Sequence, residues 1–372
     1  MIGRLSNRSR PTPGHGSAMS GDPPKRCGTM PRMPPSLPDG RRLGAHLPLG
    51  DGMVAAVDRA RTIHARALQV FADNPTAWKR RNEPPKELAA FRKRLARFRI
   101  GPVATHASYL VNLAGPEDDY RERSIEVLID ELRVAPSFRG RFVNVHIGSH
   151  KKSGLEGGIA RVGDGVSRVF AAVDDGPDAA LLVLENSAGG GGGIGTTVPE
   201  LAAVLESIAA HGGDIDRVRL CLDTAHLWGA GHDIGTADGV GRLLDELSAE
   251  VGLDRVAMIH LNDSRSALGS RSDRHEHLGA GNIGIEGLRA ILTEPRLAHV
   301  TYYLETPGMD EGYDRINVSR AYAIAAGKRL RRLPPEAMNL RGSRARSAPP
   351  EPADDENETG AEPNGADGGE PT

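Results

Sequence analysis

Cysteine is almost missing from this chain: 372 residues hold only Cys27 and Cys221. Two thiols cannot staple a polypeptide of this length, which excludes a disulfide-built secreted scaffold. The N-terminal arginines are not followed by the apolar run of an export signal, so a reducing cytoplasm is the expected compartment. Long hydrophobic runs are lacking too. The longest are strand-sized, short of the roughly 20 residues a helix needs to cross a bilayer, and no membrane span is expected. A strong net charge is the third absence, but the formal value of −2 hides an uneven distribution.

Residues 1–42 carry eight Lys or Arg against two acids, and residues 351–372 carry eight acids with no Lys or Arg. Both ends are rich in Pro, Gly and Ser and lack the apolar periodicity needed to offset chain entropy. Residues 1–42 and 331–372 are therefore expected to be disordered. The basic arm could add non-specific phosphate contacts and the acidic tail could oppose them or mimic nucleic acid, although solvated linkers need neither role. Residues 43–330 remain as the folded candidate, with a formal charge of −4. No basic patch of the usual nucleic-acid-binding kind stands out there.

Within 43–330 short apolar runs alternate with longer stretches of helical periodicity. The strand candidates are 43–47, 67–71, 102–106, 142–146, 181–186, 218–223, 256–260 and 301–305. Between them, segments such as TVPELAAVLESIAAH repeat apolar residues at three- and four-residue spacing, as amphipathic helices do. Eight strand–helix units in one domain predict an α/β fold of the (β/α)8, or TIM, barrel type; an open doubly wound sheet would have similar local patterns. The strand ends decide between the two. His46, His106, His146, Glu185, Asp223, His260 and Glu305 close seven of the eight runs. A barrel gathers every strand C-terminus around one mouth, whereas an open sheet concentrates chemistry at a single switch point.

Bare carboxylates crowded at such a mouth would repel one another unless protonated or bound to cations. Two more His–carboxylate pairs follow strand ends, Asp223 with His226 and Asp273 with His275. Imidazole plus carboxylate without thiolate suits Zn²⁺ or Mn²⁺, and about nine candidate ligands would serve two or three ions.

HASYLVNLAG (106–115), RLCLDTAH (219–226) and IHLNDSRSALGSRSDRH (259–275) resemble three signatures of the endonuclease IV family of apurinic/apyrimidinic endonucleases. GAH (44–46), VHIGSH (145–150), LENSAG (184–189) and LETP (304–307) extend the resemblance across 43–330. It implies a trinuclear zinc centre, with Mn²⁺ as an alternative at one site. His106 and His146 would hold the first ion, and Glu185 would bridge it to the second. Asp223, His260 and Glu305 would complete the second, and His226, Asp273 and His275 would hold the third. The implied reaction is in-line attack of water on the phosphodiester 5′ to an abasic site in duplex DNA, leaving a 3′-hydroxyl, with removal of 3′ blocking groups as a second activity. Glu305 and Glu185 are the implied catalytic carboxylates. Three dications would add +6 to a domain of −4, so an acidic chain could still attract phosphate.

By the same resemblance Tyr109 and Leu110 correspond to residues that penetrate the base stack, and Asn74, in the loop ADNPTAW (72–78), would read the minor groove. Lys151, Lys152, Arg265, Arg271 and Arg274 are candidate phosphate contacts. The family is typically monomeric, and a nucleoid-associated cytoplasmic enzyme is expected. This chain departs from it at Thr76, where relatives often carry arginine, and at Ile147, Ala225 and Ala280; none of these removes a ligand. Within 260–279, Asn262 and Asp263 are expected to orient neighbouring ligands, while Glu276 and His277 are expected to be structural or solvent-facing. A xylose-isomerase-like sugar isomerase or epimerase would share the architecture but needs neither the third-ion pair nor HASYLVNL. A catalytically silent, metal-dependent DNA-binding protein would not need an intact ligand set.

Overall fold

A computed structural model describes residues 35–340 except 175 and 310. Its strands, in chain order, are Arg42–His46 (β1), Ala67–Phe71 (β2), Val103–His106 (β3), Gly140–His146 (β4), Leu181–Glu185 (β5), Val218–Asp223 (β6), Val256–His260 (β7), the short Asp263–Ser264 (β8) and His275–Glu276 (β9), and Thr301–Leu304 (β10). Eight of them pair in parallel in the closed order β1-β10-β7-β6-β5-β4-β3-β2, while β8 and β9 form a separate antiparallel pair. The protein is a TIM barrel, as the strand-end pattern predicts, and each expected strand lies within two residues of an observed one.

The helices that return the chain include Met53–Thr62 (α1), Leu88–Phe98 (α2), Asp118–Val134 (α3), Leu155–Ala172 (α4), Val198–Ala210 (α5), Thr224–Ala230 (α6), Ala237–Glu250 (α7), Gly284–Thr293 (α8) and Asp314–Ala325 (α9). Local chemistry sets several starts. Thr197 and Thr236 accept the backbone N–H groups of Glu200 and Gly239 as N-caps of α5 and α7. Among the described residues no helix is long and apolar enough to cross a membrane.

The barrel interior has a floor of its own. Ala67, Ala104, Phe142, Val183, Cys221, Met258 and Tyr303 form a buried cluster separate from the helix–sheet core. Small residues on β2 and β3 face bulky ones on β4, β7 and β10, so the cross-section is filled rather than hollow. The closure between β1 and β2 is tight: a Cβ on Gly44 would lie 2.7 Å from the backbone of Ala67. Side chains repeat every two residues along a strand. Two residues beyond each floor member therefore come Gln69, His106, Asn144, Glu185, Asp223, His260 and Glu305, on the same inner face.

Packing continues past the expected boundaries at both ends. Leu37 and Arg41 are buried, and Arg41 donates to the carbonyls of Leu292 and Glu294 at the end of α8. Ala337 and Leu340 are buried as well; His277 contacts the Ala337 carbonyl at 2.9 Å and Arg320 donates to that of Arg331. Segments 35–42 and 331–340, expected to be disordered, thus belong to the packed body: Arg41 of the first reaches into the barrel's backbone carbonyls, and His277 and Arg320 of the barrel reach the backbone of the second. The expected disorder of 1–34 and 341–372 lies outside the described residues.

Met258 is fully buried on the floor, two residues below His260. Met258→Ala is expected to lower unfolding stability by about 2–5 kcal/mol, read by urea denaturation; a loss under about 1 kcal/mol would contradict a filled interior.

Candidate metal centre

Nine residues predicted from the sequence as ligands converge above this floor. The histidine nitrogens and carboxylate oxygens of His106, His146 and Glu185 lie within 4.8 Å of one another, as do those of Glu185, Asp223, His260 and Glu305, and those of Asp223, His226 and His275. Asp273 adjoins the last group, at 3.1 Å from His275 and 3.3 Å from His226. The two central carboxylates are shared: Glu185 belongs to the first and second of these groups, and also to one with Cys221 and His260, while Asp223 belongs to the second and third. The sequence spacing pairs Asp223 with His226, while the resemblance assigns it to the second group; in the structure it adjoins both groups. It also accepts the backbone N–H of His226 as the N-cap of α6, so one carboxylate orients the neighbouring ligand while facing two clusters.

The imidazoles are aimed by their second nitrogens. Nδ1 of His106, His226 and His275 lies 2.8–2.9 Å from the carbonyls of Ala107, Asn186 and Glu305. A proton donated there leaves each Nε2 lone pair facing inward. His260 is reversed: its Nε2 lies 3.0 Å from Gln69 Oε1, which directs Nδ1 to the centre. Fixing the tautomer from behind in this way is what metal-binding histidines require. His146, with its side chain 43% exposed, is the open edge of the group.

The carboxylates are held with equal care. Asn144 donates to Glu185 Oε2, Asn262 donates to Asp223 at 2.8 Å, and the Glu305 backbone N–H donates to Asn262. Gln69 donates to Glu305 at 2.6 Å, and His46 Nδ1 lies 3.1 Å from the same oxygen. His46 therefore braces a carboxylate and lies outside all the ligand groups. Burial by itself would raise the Glu305 carboxyl, but His260 and His46 outweigh it and hold it below the usual carboxylate range. Asp273 follows the same pattern: burial opposes ionisation and His275 with His226 overcome it. Burial pushes the Cys221 thiol beneath the centre up to about 12, and its Sγ lies within 4.8 Å of ligand atoms of Glu185 and His260.

Three inward atoms, Glu185 Oε1, His260 Nδ1 and His275 Nε2, are buried with no hydrogen-bond partner. Orphaned polar atoms are costly, and three of them pointing into one cluster of carboxylates and imidazoles fit cations.

Other predicted residues take different places. Tyr109 is 57% exposed at the rim, with its ring 5.1 Å from that of Phe71. Its N–H and the Ser108 hydroxyl both donate to the Pro75 carbonyl, which ties the 72–78 loop to the Tyr109 loop. Leu110 lines a cavity of about 390 Å³ with Tyr109, His146, Glu185, Asp273 and Arg271. Asn74 turns its Oδ1 back to accept from the Thr76 N–H and hydroxyl. Lys151 pairs with Glu117 at 2.9 Å, whereas Lys152, Arg265, Arg271 and Arg274 are exposed. Ile147 and Ala225 are buried and Ala280 lies on an exposed loop. Asp263 accepts N–H groups from Ser264, Gly279, Gly281, Ile283 and Gly284, and so shapes the loop behind the centre. Glu276 and His277 are buried, which makes them structural and not solvent-facing. The run of glycines after Glu185 is needed where loops meet: a Cβ on Gly190 would lie 2.9 Å from the Arg271 carbonyl.

Fold and centre together define a xylose isomerase-like TIM barrel, and the family model of that description matches residues 57–332. A probable endonuclease 4 of Chloroflexus aggregans is 39% identical over 279 residues, covering 75% of this chain and 96% of the relative. The crystal structure of endonuclease IV from Thermus thermophilus superposes with a TM-score of 0.64 at 36% identity, covering 76% of this chain and 98% of that one. The chain belongs to the endonuclease IV family. A D-tagatose 3-epimerase-like protein shares the fold alone, at 16% identity and a TM-score of 0.57.

Gln69 was not recognised among the candidate residues, although a polar side chain inside the apolar run ALQVF was a visible signal. It supports His260 and Glu305 together. Gln69→Leu should weaken divalent-metal binding at that group about 10–100-fold, measured by chelator competition; unaltered affinity would remove Gln69 from the support of the centre.

Proposed function

We propose that the protein is a zinc-dependent DNA repair endonuclease that hydrolyses the phosphodiester 5′ to an abasic site in duplex DNA, leaves a 3′-hydroxyl and also clears blocked 3′ ends. The observation that carries this is the set of three ligand groups sharing Glu185 and Asp223, beside a cavity rimmed by an exposed tyrosine. Relatives named probable endonuclease 4 support it. The donor set, all imidazole and carboxylate, suits Zn²⁺, with Mn²⁺ tolerable at one position. His106, His146 and Glu185 would hold one ion, Glu185, Asp223, His260 and Glu305 a second, and His226, Asp273 and His275 a third.

Bound cations supply Lewis acidity, lowering the pKa of water and neutralising charge on phosphate oxygens. The chain's own groups do the rest. Glu305, kept ionised and clamped by Gln69 and His46, is placed to orient an attacking water and accept its proton. Tyr109 stands clear of the surface on a loop braced at Pro75, as a wedge that replaces a missing base must. The cavity behind it receives the extruded sugar. Arg271 lines that cavity, and its guanidinium makes no hydrogen bond or ion pair among the described residues, which leaves it available to phosphate. Lys151, Arg274 and Asn74 supply further contacts once DNA displaces their present ones. The enzyme would act as a monomer in the cytoplasm, at the nucleoid.

A duplex containing one tetrahydrofuran abasic analogue separates hydrolysis from β-elimination, which that analogue cannot undergo. Nicking to a 3′-hydroxyl is expected from untreated protein and none after EDTA, and Glu305→Gln should bind the duplex without cutting it. Intact duplex after incubation with folded, zinc-loaded protein sinks the assignment. Elemental analysis is expected to find about three zinc per chain; a value near one overturns the trinuclear centre.

A further inference from the structure

The domain is acidic, yet residues 59–99 carry twelve Lys or Arg against only Asp73, Glu83 and Glu87. The expectation that 43–330 lacks a basic patch is corrected by where the fold puts these residues. The loop after β2 leaves the mouth through exposed Lys79, Arg81 and Lys86, and α2 then runs back towards the opposite end of the barrel. Its buried face is Phe91 and Leu95; Arg92, Lys93 and Arg97 are exposed on the other side, and Arg99 follows the helix end. No acid lies on α2. Arg94 is paired with Asp58 of α1, Arg80 with Glu131 of α3, and Glu87 is occupied by the Val54 N–H. Lys93 and Arg97, four residues apart on one helix, repel each other. Arg97 lies 5.6 Å from the centroid of the Phe98 ring, but no carboxylate forms an ion pair with Arg92, Lys93 or Arg97 among the described residues, and a polyanion laid along the flank would supply the missing charge.

We propose that the outer face of α2 is a second contact surface for duplex DNA, taking the phosphate backbone beyond the segment that covers the mouth. This rests on the reading of the protein as a DNA enzyme. Two features favour DNA over an acidic protein segment. The stripe is continuous with the 72–78 loop beside Tyr109, and exposed Ala89, Ala90 and Ala96 between the cations allow a backbone to approach closely. Eleven residues of helix span about 16 Å, about five base-pair steps at 3.4 Å each.

The test is binding of the full-length protein to an undamaged duplex of about four helical turns across a salt series, and incision of a lesion duplex of about one turn. The variant is Arg92→Gln, Lys93→Gln and Arg97→Gln combined, since glutamine preserves helix propensity. Its salt dependence on the long duplex should be shallower by about three in log–log slope, about one per lost phosphate contact, while the short lesion duplex is cut at the wild-type rate. An unchanged slope overturns the proposal. So does the result that neutralising the eight acids of 351–372 in the full chain tightens DNA binding in the wild type but not in the variant, which would assign the flank to the chain's own tail. Failure of wild-type protein to cut any lesion duplex would fall on the proposed activity instead, because binding of undamaged DNA reads the flank by itself.

Discussion

Everything at the mouth depends on the two-residue period of eight parallel strands closed into one small circle. The same inner face that carries Ala67, Ala104, Phe142, Val183, Cys221, Met258 and Tyr303 carries, one pleat later, two amides, two histidines and three carboxyl groups. The apolar layer excludes water from below, which strengthens every electrostatic interaction in the layer above it. A slip of one residue in any strand would turn its ligand outwards into the helix layer. The barrel's register is thus the geometry of the site, and the close approach at Gly44 and Ala67 is part of what holds it.

The centre is also where the fold leaves polar groups unsatisfied. Glu185 and Asp223 are fully buried carboxylates, each facing more than one imidazole, and one oxygen of each also accepts from an amide, Asn144 or Asn262. The amides and backbone carbonyls around the edge consume the donors and acceptors that point away from the middle, so what remains inward is almost purely electron-rich. Such a concentration is tolerable in a folded chain only with compensating positive charge. Imidazolium protons can supply it, and His226 and His275 are drawn well above the ordinary histidine value by their carboxylates despite burial. Divalent cations supply it more compactly.

Much of this is legible in the sequence alone. Strand-sized apolar runs ending in His, Asp or Glu marked both the barrel and its mouth, because each such residue is the last of its strand or, for Glu305, directly follows it. The residues that escaped notice, Gln69 and Asn144, occupy the same level but lie inside β2 and β4, which run on two residues past it, so that only a polar interruption betrays them. The pairing of Asp223 with His226 was legible in their spacing, but its approach to His275 was not: that relation arises across the returning 273–275 segment, which sequence spacing does not measure. The ends of the packed body escaped because Leu37, Ala337 and Leu340 sit in Pro- and Gly-rich surroundings, and their anchors, Arg41, His277 and Arg320, act through backbone carbonyls. The basic flank was visible as composition along 59–99 and was diluted by averaging over an acidic domain.

The carbonyl of Pro75 receives hydrogen bonds from both the Ser108 hydroxyl and the Tyr109 N–H. Because one of these bonds joins backbone to backbone and the other reinforces it from the Ser108 hydroxyl, the two rim loops form one unit despite being more than 30 residues apart in sequence. Side chains such as Thr76 can vary freely at its tip without disturbing the joint. A change in the length of either loop, by contrast, would displace the other. Transfer of the rim's shape to another barrel of this family by swapping one loop would therefore carry a mismatch with it, and only transplanting both segments together would move that shape intact.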